Sequence, residues 1–87
     1  MSDLTDMPNV GRVLASNLRE AGIESPEELI QIGSREAFSR IRRTCDPGAC
    51  LHMLYGLEGA VQGVPDSQLT AECRAELKSF LRELDGR

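Results

Sequence analysis

Tryptophan is absent from this chain, and its aromatic side chains are two phenylalanines and one tyrosine. Leu, Ile, Val and Ala must therefore fill any core. No apolar run approaches the ~20 residues that a membrane-spanning helix needs. The N-terminus carries Asp3 and Asp6 where a secretory leader would need basic residues and then an apolar stretch. Both absences point to a cytoplasmic protein with no membrane partner. Three cysteines are an odd number, which argues against a secreted disulfide scaffold. Alternating strand-like patterns are missing, so the expected class is all-α. There is no Gly-rich phosphate loop with its lysine and no serine-nucleophile motif, and no enzyme is expected.

What is present reads as one domain spanning residues 1–87. A chain of this length buries roughly 60–65% of its unfolded surface, which allows one modest core without metal or disulfides. The net charge of −4 argues against broad, nonspecific nucleic-acid binding. The charge is uneven, however. Arg35, Arg40, Arg42 and Arg43 face one acid, Glu36, within residues 35–43. The last segment balances Glu72, Glu76, Glu83 and Asp85 against Arg74, Lys78, Arg82 and Arg87.

The stretch from Met7 to Ile32 organises the rest. Met1 to Asp3 reads as a frayed end. Leu4-Thr5-Asp6-Met7 forms a single turn, and Pro8-Asn9-Val10-Gly11 is a bend leading into a helix. Pro8 biases Met7 away from helix. Asn9 suits a helix cap and tolerates left-handed backbone. Val10, Val13, Leu14, Leu18 and Ala21 form an apolar stripe at three- and four-residue steps. Gly22 supplies a left-handed stop onto which Ile23 folds back.

Ser25-Pro26-Glu27-Glu28 is a strong start signal: an N-cap, a proline at the first helical position and a capping-box acid. Leu29, Ile30 and Ile32 are its expected buried residues, and Gly33 stops the helix. Ser34 then caps a helix over Arg35–Arg43, with Ala37, Phe38 and Ile41 inward. A loop at Thr44–Ala49 precedes a helix over Ala49–Gln62, whose apolar face holds Cys50, Leu54, Leu57 and Val61. Gly56, Gly59 and Ala60 leave room for close packing there, at about 1 kcal/mol of helix propensity per glycine. After a turn at Gly63–Asp66, Ser67 or Thr70 opens a last helix running to Leu84. The expectation is a compact bundle of about five helices.

A bend that feeds a helix N-terminus offers free backbone N–H groups and a partial positive charge, both suited to a phosphate oxygen. The candidate nucleic-acid-binding residues are therefore Asn9, Val10, Gly11 and Arg12, with Arg40, Arg42 and Arg43 as a local basic patch. Cys45, Cys50 and His52 have a C-x4-C-x-H spacing unlike paired metal-ligand knuckles. Residues two apart on a helix point in different directions. No metal or cofactor is expected, and Cys50 and Cys73 fall on apolar stripes.

Met7-Pro8-Asn9-Val10-Gly11, followed by Leu18 and Gly22-Ile23, resembles the helix-hairpin-helix motif of DNA-binding proteins. In that motif glycine usually stands where this chain has Asn9. A wider pattern is similar to the C-terminal domain of TfoX (Sxy), a regulator of DNA-uptake competence. It comprises Leu4-x-x-Met-Pro-Asn-Val-Gly, Leu18-x-x-x-Gly-Ile, Glu28-Leu-x-x-Ile-Gly-Ser-x-x-Ala-Phe and Leu54-Tyr-Gly-Leu-Glu-Gly-Ala-Val-x-Gly. The resemblance spans residue 4 to about 69. It implies a helical, non-catalytic domain tied to transcription of competence genes. The partners it suggests are duplex DNA, a transcription regulator, or the α/β N-terminal domain that accompanies such domains in two-domain TfoX proteins. A module that docks on a protein without touching DNA is the alternative.

Overall fold

Gly33 decides how the helices are counted. The structure, a computed structural model, describes residues 3–86. It contains four α-helices: α1 (Arg12–Glu20), α2 (Pro26–Thr44), α3 (Leu51–Gln62) and α4 (Ala71–Asp85). Single 3-10 turns occupy Leu4–Asp6 and Asp66–Gln68. No strand occurs among the described residues. The all-α class holds, but the count is four rather than about five. The two helices expected on either side of Gly33 form one element, α2, with a sharp break where Gly33 takes φ 85° and ψ 166°. That backbone is open to glycine and hostile to other residues. Buried Ser34, the next residue, donates its hydroxyl to Glu58 on α3, which holds the second half of α2 against its neighbour.

The other local signals act much as their chemistry dictates. Ser25 Oγ accepts from the Glu28 amide at 3.2 Å with Pro26 in the first turn. The returning arm of the expected box lands on the Glu24 amide at 3.4 Å. Gly22, at φ 88°, ends α1, and the Ile23 amide reaches back to the Leu18 carbonyl at 2.8 Å. Thr70 caps α4 through the Cys73 amide, while Ser67 lies in the separate 3-10 turn. Of the frayed end expected at Met1–Asp3, Met1 and Ser2 lie outside the described residues. Asp3 instead starts the first turn, its amide bonded to Asp6, and pairs with Arg19 on α1.

Leu4, Leu18, Ile23, Leu29, Phe38, Ile41, Leu54, Leu57 and Leu77 are fully buried and form one core shared by all four helices and the first turn. Burying each such side chain stabilises by about 1.5–3 kcal/mol, so this aliphatic set replaces the missing tryptophan. Three expected core residues are corrected. Val13 is 76% exposed and Ile30 53% exposed. Each sits at the edge of its helix's apolar arc, where the neighbouring elements do not reach. Cys50 is exposed: α3 begins at Leu51, two residues later than the expected Ala49, leaving Cys50 as the N-cap. No helix is long and apolar enough to cross a membrane among the described residues.

Candidate functional site

The Met7–Arg12 bend is held from behind and open in front. Asn9 adopts the left-handed conformation, φ 69°, the only non-glycine residue described that does so. Its side chain does not cap α1, as the sequence suggested. It turns inward instead. Asn9 Nδ2 donates to the carbonyls of Gly56 at 3.3 Å and Val64 at 3.0 Å, and Asn9 Oδ1 accepts from the Asp66 amide at 3.1 Å. One carboxamide thus ties the bend to α3 and to the turn after it. The close approach needs the glycines of α3. A Cβ on Gly59 would stand 2.7 Å from the Val64 carbonyl oxygen and crowd Asn9 itself. The small residues of α3 therefore admit the bend and the following turn, where close packing against another helix was expected.

With Asn9 so engaged, Gly11 becomes the N-cap of α1 and provides no side-chain cap. The amides of Gly11, Arg12 and Val13 have no hydrogen-bond partner among the described residues. Gly11, Arg12 and Val13 are exposed, and the space where a Gly11 Cβ would sit is empty. Buried Val10 anchors the bend to the core. Arg12 has no ion-pair partner among the described residues. Beside the bend lies a shallow apolar depression formed by Val13, Leu14 and Met53, with Cys50 and His52 on its rim.

The arginines expected to assist sit elsewhere and are engaged within the chain. Arg40 pairs with Glu36 at 3.0 Å, and Arg43 approaches the same carboxylate at 3.6 Å. Arg42 pairs with Asp85 of α4 at 2.7 Å and lies over the Phe38 ring. Arg42 and Arg43 border a depression with Pro47, Phe80 and Leu84 that shares no residue with the one beside the bend. Cys45, Cys50 and Cys73 are free thiols. Burial, then the nearby Glu20 and Asp46, pushes the Cys45 thiol above its ordinary range. Among the described residues, no group of three or more His, Cys, Asp or Glu is placed to hold a metal ion.

Sequence reasoning missed both the clamp and a second set of cations. Arg74, Lys78, Arg82 and Tyr55 line one further depression along α4. The signal was there in the four-residue spacing of the three cations, which puts them on one helical flank.

These features define a small all-helical domain whose first bend is clamped to α3 and the turn after it. The chain belongs to the TfoX C-terminal domain family, whose pattern matches residues 1–81. It is similar to two crystal structures of Listeria monocytogenes proteins. One, an uncharacterized protein in a triclinic form, is 44% identical, with a TM-score of 0.94 over 99% of this chain and 97% of that one. The other, a protein of unknown function in a tetragonal form, is 45% identical, with a TM-score of 0.90 over 94% of this chain and 99% of that one. No curated protein matches the chain.

Proposed function

We propose that this chain is a non-enzymatic regulatory domain of the TfoX type, serving control of competence and DNA-transformation genes, and that it makes weak contact with duplex DNA at Asn9–Arg12. The observation that carries this reading is the row of unpartnered amides at Gly11, Arg12 and Val13 at the positive end of α1. A phosphate oxygen satisfies such groups. Arg12 adds a free cation beside them, and Asn9 holds the bend rigid from within. Arg40, Arg42 and Arg43 contribute less in this reading, because two acids of the chain, Glu36 and Asp85, already pair with them.

The test is a low-salt anisotropy titration of labelled duplex DNA with the wild type and Gly11→Asp. An aspartate at this N-cap position caps α1 with its own carboxylate and repels phosphate, so the variant folds at least as well and loses binding. Unchanged binding by Gly11→Asp would remove the bend from the reading.

A second reading, docking on a transcription regulator, draws on the exposed Val13 and the apolar depression beside it. Val13→Lys separates the two. It strengthens a contact with DNA and abolishes an apolar protein contact.

A further inference from the structure

We propose that the basic flank of α4, Arg74, Lys78 and Arg82, is a second phosphate-contacting surface that continues the Asn9–Arg12 bend and supplies most of the charge for duplex DNA. This rests on the reading of the bend as a DNA contact. The three cations follow one another at four-residue steps. At about 100° and 1.5 Å per residue they keep to an arc of about 80° and are spaced about 6 Å apart along the helix. Three of the four acids of α4 segregate from them. Glu72, Glu76 and Glu83 fall on the opposite flank, Glu76 facing Arg35, while Asp85, which shares the cations' phase one turn beyond Arg82, is taken by Arg42. Among the described residues no carboxylate lies within ion-pair distance of Arg74, Lys78 or Arg82.

Arg74 is also fixed in place. Its Nη2 donates to the Asp66 carbonyl at 3.1 Å, and its guanidinium lies 5.8 Å from the Tyr55 ring centre. Its Nε is buried without an acceptor. The Asp66 amide in turn donates to Asn9 Oδ1. One residue, Asp66, therefore touches both Asn9 and the first cation of the flank.

The chemistry favours nucleic acid over an acidic protein. Protein interfaces centre on apolar anchors and exclude charge from the middle, whereas those with DNA are polar and positive. The exposed large hydrophobics, Val13 and Ile30, are not on α4, and the flank offers only cations, Tyr55, Ser79 and alanines. Arginine and lysine are the side chains that grip phosphate, arginine through paired N–H groups.

The experiment is a salt series of anisotropy titrations on a short labelled duplex. It compares wild type, Lys78→Gln/Arg82→Gln, Gly11→Asp and Arg40→Gln/Arg43→Gln, with soluble polyglutamate as a competing polyanion. Lys78 and Arg82 are exposed, so their variant keeps its fold, which circular dichroism checks. Arg74 is left alone because it braces Asp66. With about four phosphate contacts the wild type has a log–log salt slope near −3.6, and losing two of them flattens it by about 1.8. The flank variant is expected to bind roughly tenfold or more weakly at about 50 mM salt. The α2 variant is expected to bind like the wild type. If the flank variant binds normally while Gly11→Asp fails, the α4 proposal falls and the bend stands. If the flank variant fails while Gly11→Asp binds, the flank stands and the bend falls. An equal loss in the α2 variant, or equal binding of polyglutamate, overturns a specific phosphate surface. No binding by the wild type removes both readings.

Discussion

Two arginine-rich regions of this molecule have almost the same composition and opposite fates. The end of α2 carries Arg40, Arg42 and Arg43, and each meets a carboxylate. The outer flank of α4 carries Arg74, Lys78 and Arg82, and none does so among the described residues. By sequence alone, the α2 region is basic and the α4 region is balanced. The fold reverses this. It brings Asp85 to Arg42 and lets Glu36 serve Arg40 and Arg43, whereas helical phase turns Glu72, Glu76 and Glu83 of α4 away from its cations. The charge a partner meets is what remains after the chain has neutralised itself.

The strongest way to break the comparison is to cut the clamp that ties the bend to α3 and to the turn carrying Asp66, the residue Arg74 also holds. Asn9→Ala removes three hydrogen bonds to Gly56, Val64 and Asp66. At about 1 kcal/mol each the loss is about 3 kcal/mol in a urea melt. The left-handed backbone adds a further ~1 kcal/mol for alanine. Asn9→Gly keeps that backbone free and so isolates the clamp, with an expected loss of about 2–3 kcal/mol. Equal stability of Asn9→Gly and wild type would show that the clamp does not hold the bend.

Gly59→Ala attacks the same clamp from α3. Alanine is the better helix former by about 1 kcal/mol, yet its methyl meets the Val64 carbonyl, a backbone atom that cannot step aside cheaply. The expected outcome is a net loss of about 2 kcal/mol, within the range for overpacking. A stabilised variant would mean that the 64–66 turn gives way freely.

Arginine removal then sharpens the contrast between the two regions. Arg42→Ala breaks a half-buried pair and uncovers Phe38, so a loss of about 1 kcal/mol is expected by chemical denaturation. Arg82→Ala changes stability by less than about 0.5 kcal/mol, as exposed substitutions do. If Arg82→Ala proved the more destabilising, the cation would be structural and not free for a partner.

The smallest effect expected concerns the thiols. Burial and neighbouring acids raise the Cys45 thiol, whereas Cys50 is exposed. A raised thiol contributes its stability fully below its unfolded pKa and loses it as pH rises through the folded value. Alkylation at neutral pH is therefore expected to modify Cys50 well before Cys45, as peptide mass mapping reads. Gly11→Asp belongs at the same end of the scale, with a gain of a few tenths of a kcal/mol from capping.

Much of the fold was legible because its signals are local. Ser25-Pro26, Gly22-Ile23 and Gly33 each dictate a backbone event within four residues. The edges of apolar arcs were not legible. Val13 and Ile30 have the right spacing for burial but no neighbour to cover them, and only tertiary packing settles that. Of the candidate site, the bend and the left-handed tolerance of Asn9 were readable. Its actual partners lie 47, 55 and 57 residues away, beyond any local pattern. The α4 flank was readable and missed, because charges were summed along the chain and not around the helix.

Amide NMR spectra recorded while duplex DNA is added at low salt test the reading of both surfaces most directly. The expected result is a set of shifted signals at Gly11, Arg12 and Val13 and along Arg74, Lys78 and Arg82, with Arg40 to Arg43 unmoved. Shifts confined to the end of α2, or none on either surface, would contradict it.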